Sequence, residues 1–472
     1  MWDYLIKDCR VVDPKNHINE ERDVAIEGDK IACVGKDLPP GNAREVLHLP
    51  GKILQPGMID THLHLGINTF GFKMAALAGV TTCLDMSGDT DFVFRVAKEH
   101  GCGLNFAVLQ ALLPGKNIDS NNPGRDAVEH AVTRVLAEGA FGVKILGGHF
   151  PLTPEASRNV IEIGNSRQTY VAWHAGTTEN GSNILGMKQA VELAEGHFLH
   201  LAHINAYCRG YINPVEEETR EAIELLETNP NIISESYLSP RNGCQLIYDE
   251  QGVPRSGVTR SCLKRFGFAE SVDGIEKAIA SGVLGVIKEE DGLSKLASAT
   301  EGLALFREMH GEVSATFDRV NPFLPRGWLV QARRANGRFL VNAIATDGGS
   351  IPRNVILELG LSIVKLGGLS LSEFAEKSAM NPATMLNLKN KGHLSVGADA
   401  DITIYDLDKQ QAVSTFVLGK PVLVNGRVCS KEPALAYVHP SAFETLKQQG
   451  LRCLPHSADY ETAWSLNKAP KK

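Results

Sequence analysis

The stretch Pro56-Gly-Met-Ile-Asp-Thr-His-Leu-His-Leu65 is a short apolar run interrupted at alternate positions by groups that bind protons or metal ions. Its length and bounding Pro-Gly pair suit a buried strand. Alternation along such a strand places Asp60, His62 and His64 on one face. An isolated His-x-His pair arises often without a metal, so the pair alone decides little. The surrounding Pro-Gly-x-Ile-Asp-x-His-x-His context is far more specific.

Apolar segments recur at residues 58–65, 81–86, 105–109, 142–146, 170–174, 198–204, 232–237 and 339–346, separated by stretches of helical period such as 125–138, 154–167, 183–194 and 214–228. Eight strands in βα alternation close most simply into an α/β fold, a (β/α)8 TIM barrel. The two ends of the chain have another texture, with short β-rich pieces at 4–12, 23–26 and 30–34, and again at 400–406, 412–417 and 421–428, where Asn425-Gly426 suits a hairpin turn. Residues 1–53 plus 395–440 are therefore expected to build one composite β-sandwich domain around a barrel of residues 54–394. About a hundred residues separate strands seven and eight, which points to an insertion over about 243–338. Residues 441–472 form a C-terminal extension whose polar end after Ser457 is expected to be loose.

Composition narrows the class of protein. The 472 residues are 43% hydrophobic and 22% charged, as in a large globular chain. A formal charge of −7 with no block of like charge argues against nucleic acid as a partner. No stretch reaches the roughly 18 apolar residues of a membrane span, and the start lacks a basic segment followed by an apolar core, so no membrane partner and a cytoplasmic location are expected. Nine cysteines lie far apart without a Cys-x-x-Cys pair, which suits reduced thiols in a core. Cys83 and Cys208 lie near the strands that matter, with lining a site as the alternative to filling the core.

Other strands add chemistry at the same end of the barrel. Phe141-Gly-Val-Lys-Ile-Leu146 turns Val143 and Ile145 toward the helices and Lys144 inward, where a lone ammonium loses its hydration. A lysine there either snorkels or pairs with an acid, or, beside histidines, captures carbon dioxide as a carbamate able to bridge two metal ions. Tyr170-Val-Ala-Trp-His174 and His200-Leu-Ala-His203 each bring a histidine to a strand's carboxyl end. His200 and His203 have opposite parity, so at most one should face inward. His203, nearer the mouth, is the better ligand, with His197 and His200 as surface or packing residues. Strand eight ends in Thr346-Asp347-Gly-Gly-Ser350, a carboxylate beside a turn that glycine lets pass closely. His62, His64, Lys144, His174, His203 and Asp347 thus share the end where barrel enzymes do chemistry, and the mixed nitrogen and oxygen set suits zinc or a similar ion rather than calcium or magnesium.

With these residues in place, the chain resembles the metal-dependent amidohydrolase superfamily, in the branch of dihydroorotases, hydantoinases, allantoinases, isoaspartyl dipeptidases and N-acyl-D-amino-acid deacylases. The resemblance extends to Gly392-His-Leu-Ser-Val-Gly-Ala-Asp-Ala-Asp-Ile-Thr-Ile-Tyr405, similar to the re-entry into the β domain in these proteins. It implies two zinc ions: His62 and His64 on the more buried one, His174 and His203 on the more exposed one, and carboxylated Lys144 as bridge. Asp347 is implied as metal ligand and catalytic proton carrier. The implied reaction is hydrolysis of a carbon–nitrogen bond of an amide, cyclic amide, ureide or N-acyl amino acid by a metal-bridging hydroxide, in an enzyme that forms a homo-oligomer.

A mononuclear heterocycle deaminase is an alternative, but such relatives lack the bridging lysine and carry a glutamate three residues after a barrel histidine, where this chain has Thr177 and Ala206. A non-catalytic scaffold relative is a second alternative, disfavoured because every expected ligand is kept. For a small-molecule substrate, the strand-end candidates are His149 after Gly147-Gly148, Asn205, Tyr207, Arg241 with Asn242, and Arg353. Arg241 or Arg353 could hold a substrate carboxylate, the plainer reading being a solvated or acid-paired arginine. The 29 residues from His174 to His203 resemble the aminoacylase and isoaspartyl dipeptidase side, whereas the lysine resembles the hydantoinase side.

Overall fold

The computed structural model describes residues 1–86 and 88–468. Eight parallel strands form the barrel: Met58–His64, Val80–Asp85, Asn105–Leu112, Gly142–Leu146, Tyr170–His174, Leu199–Leu201, Ile232–Tyr237 and Ala343–Ala345. Each pairs with the next in parallel register from the first to the eighth. The ring closes through Gly348–Gly349, just past Asp347, which pairs in parallel with Leu63 and His64. Gly349 is needed there, because a Cβ would lie 2.6 Å from the His64 carbonyl oxygen and its φ is +71°.

Strand parity organises the packing. Val143, Ile145, Val171, Trp173, Leu199 and Leu201 face outward into a cluster with the helices. Ile59, Leu84, Leu109, Tyr170, Ala172 and Ile233 fill the interior below the strands' carboxyl ends. Strand one departs from simple alternation: its pairing slips between Asp60 and Leu63, and Ile59 faces inward. Asp60 consequently does not share the face of His62 and His64. It turns to strand eight, where it accepts the Thr346 hydroxyl at 2.5 Å and the Thr346 and His62 backbone N–H groups.

The chain ends meet in one nine-stranded sheet. Its long first strand, Trp2–Asp13, pairs with Ala43–His48 over its first half and with Ile53–Pro56 over its second, so the sheet divides there around a core that includes Ile6, Val11, Val24, Leu54, Ile402 and Phe416. Between Lys420–Val424 and Arg427–Val428, Asn425 and Gly426 both take positive φ, as a type I′ hairpin requires. Between strands seven and eight, Cys244–Gln245, Leu284–Glu290, Leu293–Leu296 and Ser314–Phe317 form a separate four-stranded sheet with its own core. Helix Phe323–Gln331, within the stretch expected as insertion, returns to the barrel wall with Leu329 in the outer cluster.

After Ser457, residues 458–468 are not a loose tail, and residues 469–472 of that expectation lie outside the described residues. Helix Tyr460–Trp464 buries Ala463 against the barrel interior together with Leu466, and Asn467 donates to the Ile232 and Pro230 carbonyls. Polar composition hid a segment whose few apolar side chains close the barrel floor. Among the described residues, no helix is long and apolar enough to cross a membrane.

The Asp60–Thr346 contact joins the first and last barrel strands. Thr346→Val keeps the volume but removes the hydroxyl donor, leaving a buried carboxylate oxygen unmet at a cost of about 1–3 kcal/mol. Thermal unfolding should show a lower melting temperature, and an unchanged one would remove this contact from the account of closure.

Candidate metal centre

His62 and His64 emerge at the end of strand one with Asp347 opposite. Asp347 Oδ1 lies 2.6 Å from His64 Nε2 and 3.2 Å from His62 Nε2. The three residues each offer a ligand atom within 4.8 Å of the others. The loop after His64 is pinned by Asp85, whose carboxylate accepts the Leu65 and Gly88 N–H groups. The His203 ring stacks on His62 with centroids 5.3 Å apart and meets His174 edge-on at 4.3 Å. Gly148 is what lets His174 sit there, because a Cβ would lie 2.0 Å from its Nε2. Lys144 is fully buried, with its Nζ 3.0 Å from the Met86 sulfur. All six residues line one cavity of about 540 Å³.

His203 reaches this cluster by a route that alternation does not anticipate. Strand six ends at Leu201, and His203 adopts φ +36°, a left-handed bend that swings its ring into the barrel mouth. His200 also faces inward, in register with Ala172, and its Nδ1 meets the Tyr170 hydroxyl at 2.9 Å. Both histidines therefore point inward, correcting the expectation that at most one would. Cys83 and Cys208 pack in the outer hydrophobic clusters.

Electrostatics prepare these groups as ligands. Burial pushes His62 and His174 well below the usual histidine range and His203 down to about 3, so their lone pairs are free at neutral pH. Burial alone would raise Asp347, but Arg353, His62 and His64 outweigh it and hold the carboxylate ionised. Burial lowers Lys144 to about 8 against the pull of Glu235 and Asp347, which makes a neutral amine accessible. The buried His203 Nδ1 has no hydrogen-bond partner among the described residues. An orphaned imidazole nitrogen beside converging histidines and a carboxylate is what a zinc-type ion would satisfy.

Glu235 escaped the reading of the sequence. It is the lone acid of strand seven, Ile232-Ile-Ser-Glu-Ser-Tyr237, at inward parity, and that parity was the available signal. Its Oε1 takes His62 Nδ1 at 2.7 Å and the His203 backbone N–H at 2.8 Å. The carboxylate thereby ties the tautomer of one expected ligand to the backbone bend that aims another.

The substrate-side candidates divide. His149 lines the cavity, with Nδ1 2.9 Å from the Ser256 hydroxyl of the insertion, and burial lowers it to about 4. Arg353 lines it too, but is committed to Asp347 at 2.5 Å. Arg241 turns instead to Asp318 at 3.2 Å, because the insertion supplies that acid. Asn205 is buried behind the wall, accepting the Ser236 hydroxyl and the Tyr237 N–H. Tyr207 is buried behind His174 and His203, its hydroxyl accepting the Ala175 N–H. Asn242 lines the cavity while accepting the Phe317 N–H.

Glu235→Gln keeps the shape but puts an amide where the carboxyl group meets His62 Nδ1 and the His203 backbone N–H. Retained zinc after dialysis against a chelator should correspond to roughly 10- to 100-fold weaker binding, the usual cost of losing such a partner. Wild-type retention would contradict a role for Glu235 in holding the site.

Comparison with known proteins agrees with the fold. The family model described as "Amidohydrolase family" matches residues 332–429. A dihydroorotase of Clostridioides difficile (strain 630) is 23% identical over 438 residues, covering 88% of this chain and 92% of that protein. Among solved structures, N-acyl-D-glutamate deacylase from Bordetella bronchiseptica, complexed with zinc and a phosphonate mimic of the tetrahedral intermediate, superposes with a TM-score of 0.66 at 14% identity, covering 92% of this chain and 98% of that one. Dihydropyrimidinase from Brevibacillus agri NCHU1002 gives 0.61 at 16% identity, covering 93% and 98%. With the barrel, the two-ended β domain and these matches together, the chain is similar to proteins of the amidohydrolase family, and the solved structures share its fold.

Proposed function

We propose that the protein hydrolyses a carbon–nitrogen bond of a cyclic amide, ureide or N-acyl amino acid, with His62, His64, Lys144, His174, His203 and Asp347 holding two zinc ions. The observation that carries this reading is the convergence of all six on one cavity. Lys144 would serve as its carbamate: the neutral amine adds to carbon dioxide, forming an N–C bond and releasing one proton. When bound, the ions would supply Lewis acidity, easing deprotonation of water and polarising the substrate carbonyl.

The chain's own groups perform the proton work. Asp347, kept ionised by Arg353, accepts a proton from the water that attacks the carbonyl carbon. Carbon–nitrogen cleavage follows when Asp347 returns that proton to the departing nitrogen. Arg353 donates to Asp347 Oδ2, opposite the oxygen facing the histidines, and so fixes the direction in which the carboxylate presents itself. His149, neutral and cross-linked to Ser256, is placed at the cavity wall to hydrogen-bond the substrate. The relatives named for dihydroorotate and dihydropyrimidine chemistry support a cyclic substrate, and the deacylase supports an acyclic one.

Zinc-loaded protein should cleave members of a panel of dihydropyrimidines, hydantoins and N-acyl amino acids, lose that activity on chelation and regain it with zinc. Asp347→Ala should lower kcat by about 10²–10⁴-fold. Lys144→Ala should lower both zinc content and turnover. Ammonia release without ring opening or acyl cleavage, or turnover unaffected by chelation, would contradict the proposal.

A further inference from the structure

Beyond the ligand cluster, the charged groups of the cavity are unequally matched. Arg353 is paired with Asp347, and Lys116 lies 3.6 Å from Asp89. Arg209, in the loop after strand six, lines the cavity with only 4% of its surface exposed, yet meets no acid among the described residues. Two of its three nitrogens are fixed: Nε donates to Asn321 Oδ1 at 2.8 Å and Nη2 to the Tyr237 hydroxyl at 3.0 Å. Nη1 has no protein acceptor among the described residues.

An arginine keeps its charge at any accessible pH, so burial without an acid leaves a desolvated cation that a complementary anion would stabilise. The holders of Arg209 are themselves fixed. Asn321 donates to the Ser239 and Arg241 carbonyls, and the Tyr237 ring lies between the Arg353 guanidinium, 5.0 Å from its centroid, and the His203 ring at 6.0 Å. The unpaired edge is therefore pre-oriented and separated from His203 by one tyrosine, within the span of a small substrate. A planar guanidinium offering fixed N–H groups suits a carboxylate.

Resting on the hydrolytic reading above, we propose that Arg209 binds a carboxylate of the substrate, so that the substrates are amides or ureides derived from amino acids, with the acid group close to the scissile bond. Asn321 and Tyr237 act as positioning residues for that contact. Neutral hydantoins and dihydropyrimidines would fit the chemistry of the site but leave Arg209 unmet.

Matched pairs that differ only in the acid group test this: dihydroorotate against dihydrouracil, and N-acetyl amino acids against their primary amides, with zinc-loaded protein. The acid members should have kcat/KM about 10- to 100-fold higher, the range of one charge-assisted contact. Arg209→Met should erase that preference mainly through KM, with Arg209→Lys retaining part of it. Calorimetry with succinate and succinamide reads the same contact without turnover, and wild type should bind succinate while Arg209→Met does not. Equal use of acid and neutral members by wild type, or an acid preference that survives Arg209→Met, would overturn the proposal. If no member of either pair is cleaved, the hydrolytic reading fails. Calorimetry then decides Arg209 alone, with selective succinate binding supporting the site and its absence overturning it.

Discussion

The structure depends on one carboxylate, Asp347, placed where the barrel closes. Oδ1 faces His62 and His64 across the seam between strands eight and one, and Oδ2 accepts from Arg353. Its own backbone takes φ +52°, and its N–H donates to the His62 carbonyl. A non-glycine residue in that region is strained, and such strain persists where surroundings over-determine it. Here the Asp60–Thr346 contact on one side and the Gly348–Gly349 pairing on the other supply that determination. The contacts that close the barrel are thus also the contacts that hold the site.

The interior beneath Asp347 holds several buried ionisable groups, Lys144, His200 and Glu235 among them. Burial raises Glu235 to about 8 and lowers Lys144 to about 8, so each is displaced toward its neutral form. His200 Nε2 and Glu235 Oε2 have no hydrogen-bond partner among the described residues. An apolar filling would stabilise such a barrel more simply. The retained polar groups instead orient the histidines above them, and the structure carries that cost at the end of the barrel where the cavity opens.

Much of this was legible in the sequence. Strand spans 142–146, 170–174 and 232–237 coincide with the observed strands, because each is a short β-rich segment set between stretches of helical period. The six clustered residues were legible because each is a chemically distinctive side chain at a strand's carboxyl end. What was not legible depended on local departures from regularity or on long-range pairing. The slip in strand one turned Asp60 away, and the left-handed bend at His203 undid a parity argument sound for an ideal strand. Arg241 was drawn off by Asp318, an acid from 77 residues further along. Arg209 gained meaning only once Asn321 and Tyr237 were seen to hold it, since nothing in Cys208-Arg-Gly210 marks it.

In the proposed centre these six side chains hold two divalent ions with a carboxylated lysine between them. Diffraction from zinc-loaded crystals at the zinc absorption edge tests it most directly. Two anomalous peaks are expected in the cavity, one near His62 and His64 and one near His174 and His203, with Asp347 beside them and added density on Lys144 Nζ. Absence of any peak at these residues, or zinc bound elsewhere on the chain, would contradict it.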